Sequence, residues 1–287
     1  MKVAIIGANG QLGSDLVRVF GNIAIPLIHN DVDVTDEASL KIIEDIKPDV
    51  IINTAGYVRV DDAEFHPEDA FKVNAIGALN VARISNKINA INVYISTDYV
   101  FDGNKNEPYV EDDAPNPINV YGASKYLGEI FTKNYSKKYY IIRTASLYGK
   151  AGARGKGGNF VETMIRKAKN NEEIKVVDDI IMSPTYTYNL ALGIKALLET
   201  MPEYGIYHIV NKGSCTWYQF AKEIFNMLDM DVNIYPITSE ELNRPARRPK
   251  YSVLSTKKIE KLGIKMRNWK DALKSYLVEK GYISKEV

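Results

Sequence analysis

Lys2-Val-Ala-Ile-Ile-Gly7-Ala-Asn-Gly10-Gln-Leu-Gly13-Ser-Asp-Leu16 opens with an apolar run, a glycine turn and the start of a helical pattern. Residues 2–6 read as a short buried strand, and Leu12, Leu16, Val17 and Phe20 recur at the spacing of one helix face. A glycine turn between the two lets a phosphate approach the backbone and rest on the helix N-terminus. The spacing is Gly-x-x-Gly-x-x-Gly, not the commoner Gly-x-Gly-x-x-Gly. A tight turn without a ligand has the same local requirements, and it is the alternation of strands and helices downstream that favours a dinucleotide site.

Outward from this turn, apolar runs at 23–28, 49–53, 91–95, 139–143 and 174–177 alternate with longer amphipathic segments. That alternation predicts an α/β fold with a Rossmann-like, doubly wound parallel sheet. Helices are expected over 67–88 and 121–135, and Leu40, Ile43 and Ile46 mark another within 36–46, with Thr35 as its capping hydroxyl. After residue 180, Pro184, Pro202, Pro236, Pro245 and Pro249 divide the chain into short elements. This predicts a smaller C-terminal substrate-binding lobe over the carboxyl ends of the strands. The expected division is 1–150, mainly dinucleotide-binding, and 151–287, mainly substrate-binding, with some elements returning to the first core. The glycine-rich stretch 149–158 is the nearest thing to a linker.

A chain of 287 residues with 45% hydrophobic content can bury a large core. Lys+Arg 37 against Asp+Glu 36 leaves a formal charge of +1, so bulk electrostatics give no case for nucleic acid or membrane binding. A single cysteine, Cys215, excludes an internal disulfide and a multi-cysteine zinc site. His29, His66 and His208 are too scattered to suggest a metal centre. Gly7 and Gly10 interrupt the first apolar run too early for a signal-peptide core, and no stretch approaches the roughly 20 apolar residues of a membrane helix. A cytoplasmic location is expected.

Chemistry concentrates in Ile95-Ser-Thr-Asp-Tyr99 and Tyr121-Gly-Ala-Ser-Lys125. Tyr121 and Lys125, four apart on a helix, share one face, and an ammonium one turn away is expected to favour the phenolate. Thr97 ends an apolar strand, where its hydroxyl can bond a substrate carbonyl oxygen. Alone, Tyr-x-x-x-Lys also describes a solvated helix face.

Taken with Asp33-Val-Thr-Asp36, Asn53-Thr-Ala-Gly-Tyr57, Val73-Asn-Ala-Ile-Gly77, Arg143-Thr144 and Arg248-Pro-Lys-Tyr-Ser-Val-Leu254, these motifs resemble the extended short-chain dehydrogenases/reductases over nearly the whole chain. Among these the chain is most similar to the dTDP-4-dehydrorhamnose reductases. The resemblance implies NAD(P)H-dependent reduction of the C4 ketone of a nucleotide-linked 6-deoxyhexose, with Thr97, Tyr121 and Lys125 catalytic. It implies that Gly7, Gly10, Gln11, Leu12 and Gly13 form the pyrophosphate turn. Asp33 and Val34 would contact adenine, while Ala55, Gly56 and Tyr57 would lie beneath the nicotinamide half. Lys125 would bond the nicotinamide ribose. Substrate contacts fall on Thr97, Asp98, Asn159 and Arg248. Asp33 equally suits a helix cap or loop charge, Arg248 equally suits an ion pair, and Trp217 and Trp269 suit packing. Asn74, mid-helix, is left off the site.

No acid ends the second strand at Ile28-His29, so a ribose 2′-phosphate meets little repulsion; NADPH is expected, with NADH also accepted. The family's tryptophan after Arg-Thr is absent here, with Ser146 near that place, which leaves the sugar and base open. A dehydratase would need an Asp-Glu pair after Thr97, where Asp98-Tyr99 stands. An epimerase, and a non-catalytic subunit similar to the β subunit of methionine adenosyltransferase, stay open as alternatives, as does homodimerisation.

Overall fold

In the computed structural model, which describes residues 1–152 and 158–284, five apolar runs become strands of one sheet. They are β1 (Val3–Ile6), β2 (Ala24–Leu27), β3 (Val50–Asn53), β4 (Ile91–Thr97) and β5 (Tyr139–Thr144). The spatial order runs β2, β1, β3, β4, β5 and then the strand Gly205–His208, every neighbouring pair parallel. β1, β3 and β4 are buried along their whole length, as expected for a sheet covered on both faces. Each fully buried Ile or Val there contributes about 1.5–3 kcal/mol relative to exposure.

On one face, Val3, Ile5, Ile52 and Val93 pack with Leu16 and Phe20 of α1 (Gln11–Phe20) and with Leu190, Ile194 and Leu197 of the helix Thr187–Thr200. On the other, Ala4, Ile6 and Ile51 meet Ile43, Val81 and Ile84. A separate core lies after the sheet, where Tyr148, Phe220, Ile224, Trp269, Leu273 and Tyr276 cluster. Trp217 packs against Phe160 at its margin, ring centroids 4.7 Å apart.

The apolar run at 174–177 is a strand, but it pairs with Ile234–Ile237 in its own two-stranded sheet. The main sheet is completed by Gly205–His208, which joins β5 in the register Gly205↔Tyr140 to His208↔Arg143. The segment expected as one helix over 67–88 is α-helical at Pro67–Phe71 and Gly77–Lys87, with a π-helical turn at Lys72–Ile76 between them. The helix expected within 36–46 starts only at Lys41, and Thr35 does not cap it. Thr35 instead donates through its backbone N–H and its hydroxyl to Asp33 Oδ1, at 2.9 and 2.8 Å, which closes a local turn in competition with the helix. Of the glycine-rich stretch 149–158, residues 153–157 lie outside the described residues. Among the described residues no helix is long and apolar enough to cross a membrane, and no group of three or more His, Cys, Asp or Glu could hold a metal ion.

Candidate active site

The chain steps from β1 outward to β2 and then crosses back to β3 on the other side of β1. Ligands of open α/β sheets bind at such a switch point, outside the carboxyl ends of the strands. Gly7 leaves β1 with φ 78°, and the N–H groups of Gly7 and Ala8 donate to Leu27 O at 2.9 and 3.1 Å. A Cβ on Gly13 would overlap Gly7 O and stand 2.8 Å from Ala8 Cα, so helix and turn approach as only glycine allows. No side chain caps α1, whose first turn carries Gln11, Leu12 and Gly13. Their backbone N–H groups and the positive end of the helix dipole suit a diphosphate. The Gln11 amide donates to Leu147 O at 3.1 Å, while its Oε1 is buried without a hydrogen-bond partner among the described residues. Leu12 itself is a core side chain, so only its backbone is available to a ligand.

Further along the sheet edge, Asp33 is held by Thr35, whose hydrogen bonds keep its carboxyl below the usual range. The side chain of Val34 is buried, and its carbonyl accepts from Asn80 Nδ2 at 3.0 Å. After β3, the turn Ala55-Gly56-Tyr57 is fixed from below by Asn74. Tyr57 N donates to Asn74 Oδ1 at 2.8 Å, and Asn74 Nδ2 donates to Tyr57 O and Ser124 Oγ at 3.0 and 2.9 Å. Asn74, left off the site on its mid-helix position, has partners 17 and 50 positions away, and no sequence signal marks them. The Tyr57 hydroxyl donates to Asp62, which raises its pKa.

Thr97 is the last residue of β4, in register with Thr144 of β5. Tyr121 and Lys125 lie in the helix Val120–Tyr135, capped by Asn119, whose Oδ1 accepts from Gly122 N at 2.7 Å. The Tyr121 ring meets Tyr99 edge-on, centroids 5.9 Å apart. Lys125 Nζ stands 4.2 Å from the centroid of the Tyr94 ring, and a Cβ on Gly56 would be 4.0 Å from it. The helix, β4 and the β3 turn therefore meet at this point.

Electrostatics depart from the sequence expectation. Burial pushes the Tyr121 phenol well up; the Thr97 hydroxyl opposes the shift, and Asp98 and Tyr99 add to it. Lys125 is lowered to about 7 by burial, against an upward pull from Glu129. The lowering of Tyr121 expected from a charged Lys125 does not appear, because burial disfavours the charged form of each group, raising the phenol and lowering the ammonium. Glu129, one turn beyond Lys125, accepts both arms of Arg143, Nε at 2.9 Å and Nη2 at 2.8 Å, and the Ser96 hydroxyl at 2.5 Å. The pair is 3% and 1% exposed.

Asp98 is buried beside Thr97, which donates to its Oδ1 at 3.0 Å. Asn159 lies further off, at the start of the helix Phe160–Lys169. Its oxygen accepts from Glu162 N at 3.1 Å, and its nitrogen donates to Gly149 O and Tyr276 Oη at 3.0 and 3.1 Å, so the amide is fully engaged within the fold. Arg248 forms a bidentate pair with Asp61, Nη1 to Oδ1 at 2.9 Å and Nη2 to Oδ2 at 2.7 Å. That pair fastens the C-terminal segment to the residues after β3. Trp269 is core and Trp217 packs on Phe160.

The family model of the RmlD substrate binding domain matches residues 1–281. The spore coat polysaccharide biosynthesis protein SpsK of Bacillus subtilis (strain 168) is 41% identical over 283 residues, 97% of this chain and 98% of that protein. A dTDP-4-dehydrorhamnose reductase of Burkholderia thailandensis is 38% identical over 296 residues, 95% of this chain and 97% of that one. The crystal structure of the dTDP-4-dehydrorhamnose reductase of Bacillus anthracis str. Ames in complex with NADP superposes with a TM-score of 0.92 at 44% identity, covering 97% of this chain and 100% of that one.

Proposed function

The chain belongs to the RmlD substrate binding domain family and is an oxidoreductase of the extended short-chain dehydrogenase/reductase type, and from that premise we propose that it reduces the C4 ketone of dTDP-4-dehydro-L-rhamnose with NADPH, giving dTDP-L-rhamnose. The observation that carries the reading is the meeting of Thr97, Tyr121 and Lys125 at the carboxyl end of β4, on the same sheet edge as the uncapped start of α1. NADPH, when bound, supplies the hydride.

In this reading the backbone of Gly7, Gly10, Gln11, Leu12 and Gly13 holds the diphosphate, and Asp33 and Val34 border the adenosine. Ala55, Gly56 and Tyr57 support the nicotinamide half, and Lys125 bonds its ribose. Tyr121 holds the proton. Its burial keeps the phenol protonated until the ketone oxygen takes on alkoxide character, and an alkoxide is a much stronger base than a phenolate. Tyr121 then gives its proton to that oxygen as C4 accepts hydride, while Thr97 donates a hydrogen bond that strengthens as charge develops. Asp98 serves beside Thr97. Asn159 and Arg248 act on the substrate through the loops they anchor, since both are engaged in the fold. Residues 1–150 serve chiefly the dinucleotide and 151–287 chiefly the sugar nucleotide, with Thr187–Thr200 and Gly205–His208 belonging to the first core. NADH is accepted as well, since Ile28-His29-Asn30-Asp31 offers no arginine or lysine that would demand a 2′-phosphate.

Turnover tests the reading directly: NADPH and dTDP-4-dehydro-L-rhamnose are mixed with the protein and loss of reduced nicotinamide is followed. Consumption of one equivalent per ketone is expected. No consumption with this sugar, but turnover of another member of a panel of nucleotide-linked 4-keto sugars, would replace the substrate; silence across the panel would overturn the reductase reading.

A further inference from the structure

Thr97 has one hydroxyl proton and several neighbours that could take it. Its Oγ1 accepts from Tyr99 N at 3.2 Å and donates to Asp98 Oδ1 at 3.0 Å. A proton given to Asp98 cannot also be given to a ketone oxygen. The charge on Asp98 decides how firmly it is held, because a hydrogen bond to a carboxylate is roughly twice as strong as one to a neutral group.

Asp98 is 2% exposed, and its Oδ2 is buried with no hydrogen-bond partner of good geometry among the described residues. An ionised carboxylate with one oxygen so placed is costly, which favours the neutral acid. Burial raises this carboxyl to about 6, while the Ser252 and Thr97 hydroxyls and the backbone draw it back down. The groups that face it are Thr97 and Tyr99 from its own segment, Tyr121 from the helix Val120–Tyr135 and Ser252 from the C-terminal segment. Arg248, Arg244 and Asp61 act one layer out, on Tyr99.

We propose that Asp98 is a positioning residue that switches the Thr97 hydroxyl: ionised, it holds the Thr97 proton to itself; neutral, it releases that proton to the ketone oxygen beside Tyr121. The proposal rests on the ketone-reduction reading above. Thr97 neither gains nor loses a proton in the switch; its hydroxyl rotates, and the proton that titrates is the one on Asp98. Because the neutral form is the competent one, kcat/KM falls as pH rises through the titration of Asp98. The fall between the two plateaus is about 10²-fold, the lower end of what one oxyanion-directed donor contributes.

Two measurements on the full chain test this. Carboxyl ¹³C NMR on protein labelled at aspartate needs no substrate. One resonance should titrate near 6, vanish in Asp98→Asn, and move to higher pH in Ser252→Ala, since the serine hydroxyl lowers that pKa. In the pH profile of ketone reduction the same limb should move up with Ser252→Ala and disappear in Asp98→Asn, whose amide stays neutral. A limb unchanged in Asp98→Asn, or a carboxyl that titrates in the ordinary range, overturns the switch. If the resonance titrates near 6 and moves to higher pH in Thr97→Val, whose lost hydroxyl also lowers that pKa, but no 4-keto nucleotide sugar is reduced, the substrate reading fails and the coupling between Asp98 and Thr97 stands; a resonance unmoved in Thr97→Val overturns the coupling.

Discussion

The glycine turn after β1 and the Thr97 site after β4 open on the same edge of the sheet, yet they are built from different materials. The turn is backbone: Gly7 in a left-handed conformation, Gly13 packed against it, and an uncapped helix start whose partial charges are fixed by geometry. The Thr97 site is side chains taken out of water, so that Tyr121 is pushed up, Lys125 down and Asp98 up, with Glu129 and Arg143 paired behind them. Backbone sites recognise a charge without carrying one. Side-chain sites of this kind hold titratable groups whose charge depends on what surrounds them, and that sensitivity serves proton transfer.

If this contrast is right, substitutions in the two places fail in different ways. The largest effect is expected behind the Thr97 site. Glu129→Gln leaves the Arg143 guanidinium buried without its carboxylate and should cost about 3–5 kcal/mol of folding stability, read by denaturant unfolding. A loss under about 1 kcal/mol would mean that water reaches the pair. Next comes Tyr121→Phe, which removes one hydroxyl and should lower ketone reduction by about 10²-fold or more with dinucleotide affinity intact; unchanged turnover would take Tyr121 out of the chemistry.

In the turn, Gly13→Ala forces a Cβ against Gly7 O and should cost about 1–3 kcal/mol as an overpacked contact. Here the signature is reversed, with weaker dinucleotide binding by calorimetry and a near-normal rate at saturation. A rate defect with normal affinity would erase the distinction between the two regions. The smallest effect belongs to Asp61→Asn, because the Arg248–Asp61 pair is 15% and 34% exposed and solvent screens it. A change of about 1 kcal/mol or less is expected, visible as faster amide exchange at Ala246, Arg247, Arg248 and Lys250; slower exchange there would show that the pair strains the segment.

The turn and the first five strands were readable from the chain because their cause is local. An uninterrupted apolar run is a buried strand wherever it pairs, and glycine tolerates positive φ in any context. Pairing partners are not local, so the run at 174–177 gave a strand without revealing that Ile234–Ile237 would take it from the main sheet. Gly205-Ile-Tyr-His208 is short, mixed in polarity and follows Pro202, and only the exposed edge of β5 gives it a role. Asn74 escaped for the same reason, its partners being a turn and a helix remote in sequence. The positions of Tyr121 and Lys125 follow from a four-residue spacing, but their proton affinities follow from how completely the tertiary structure buries them.

The lateness of Gly205–His208 also bears on how the molecule is made. Residues 145–204 separate this strand from β5, so synthesis delivers β5 well before its outer neighbour. At about 5–20 residues per second, the interval lasts several seconds. During it, a nascent sheet of five strands presents an unpaired edge whose Ile141 and Ile142 are destined for complete burial. Such an edge is a template for another chain. A ribosome-bound chain stalled just before Gly205 should therefore be the most aggregation-prone length of this protein and the one on which a chaperone has most to shield.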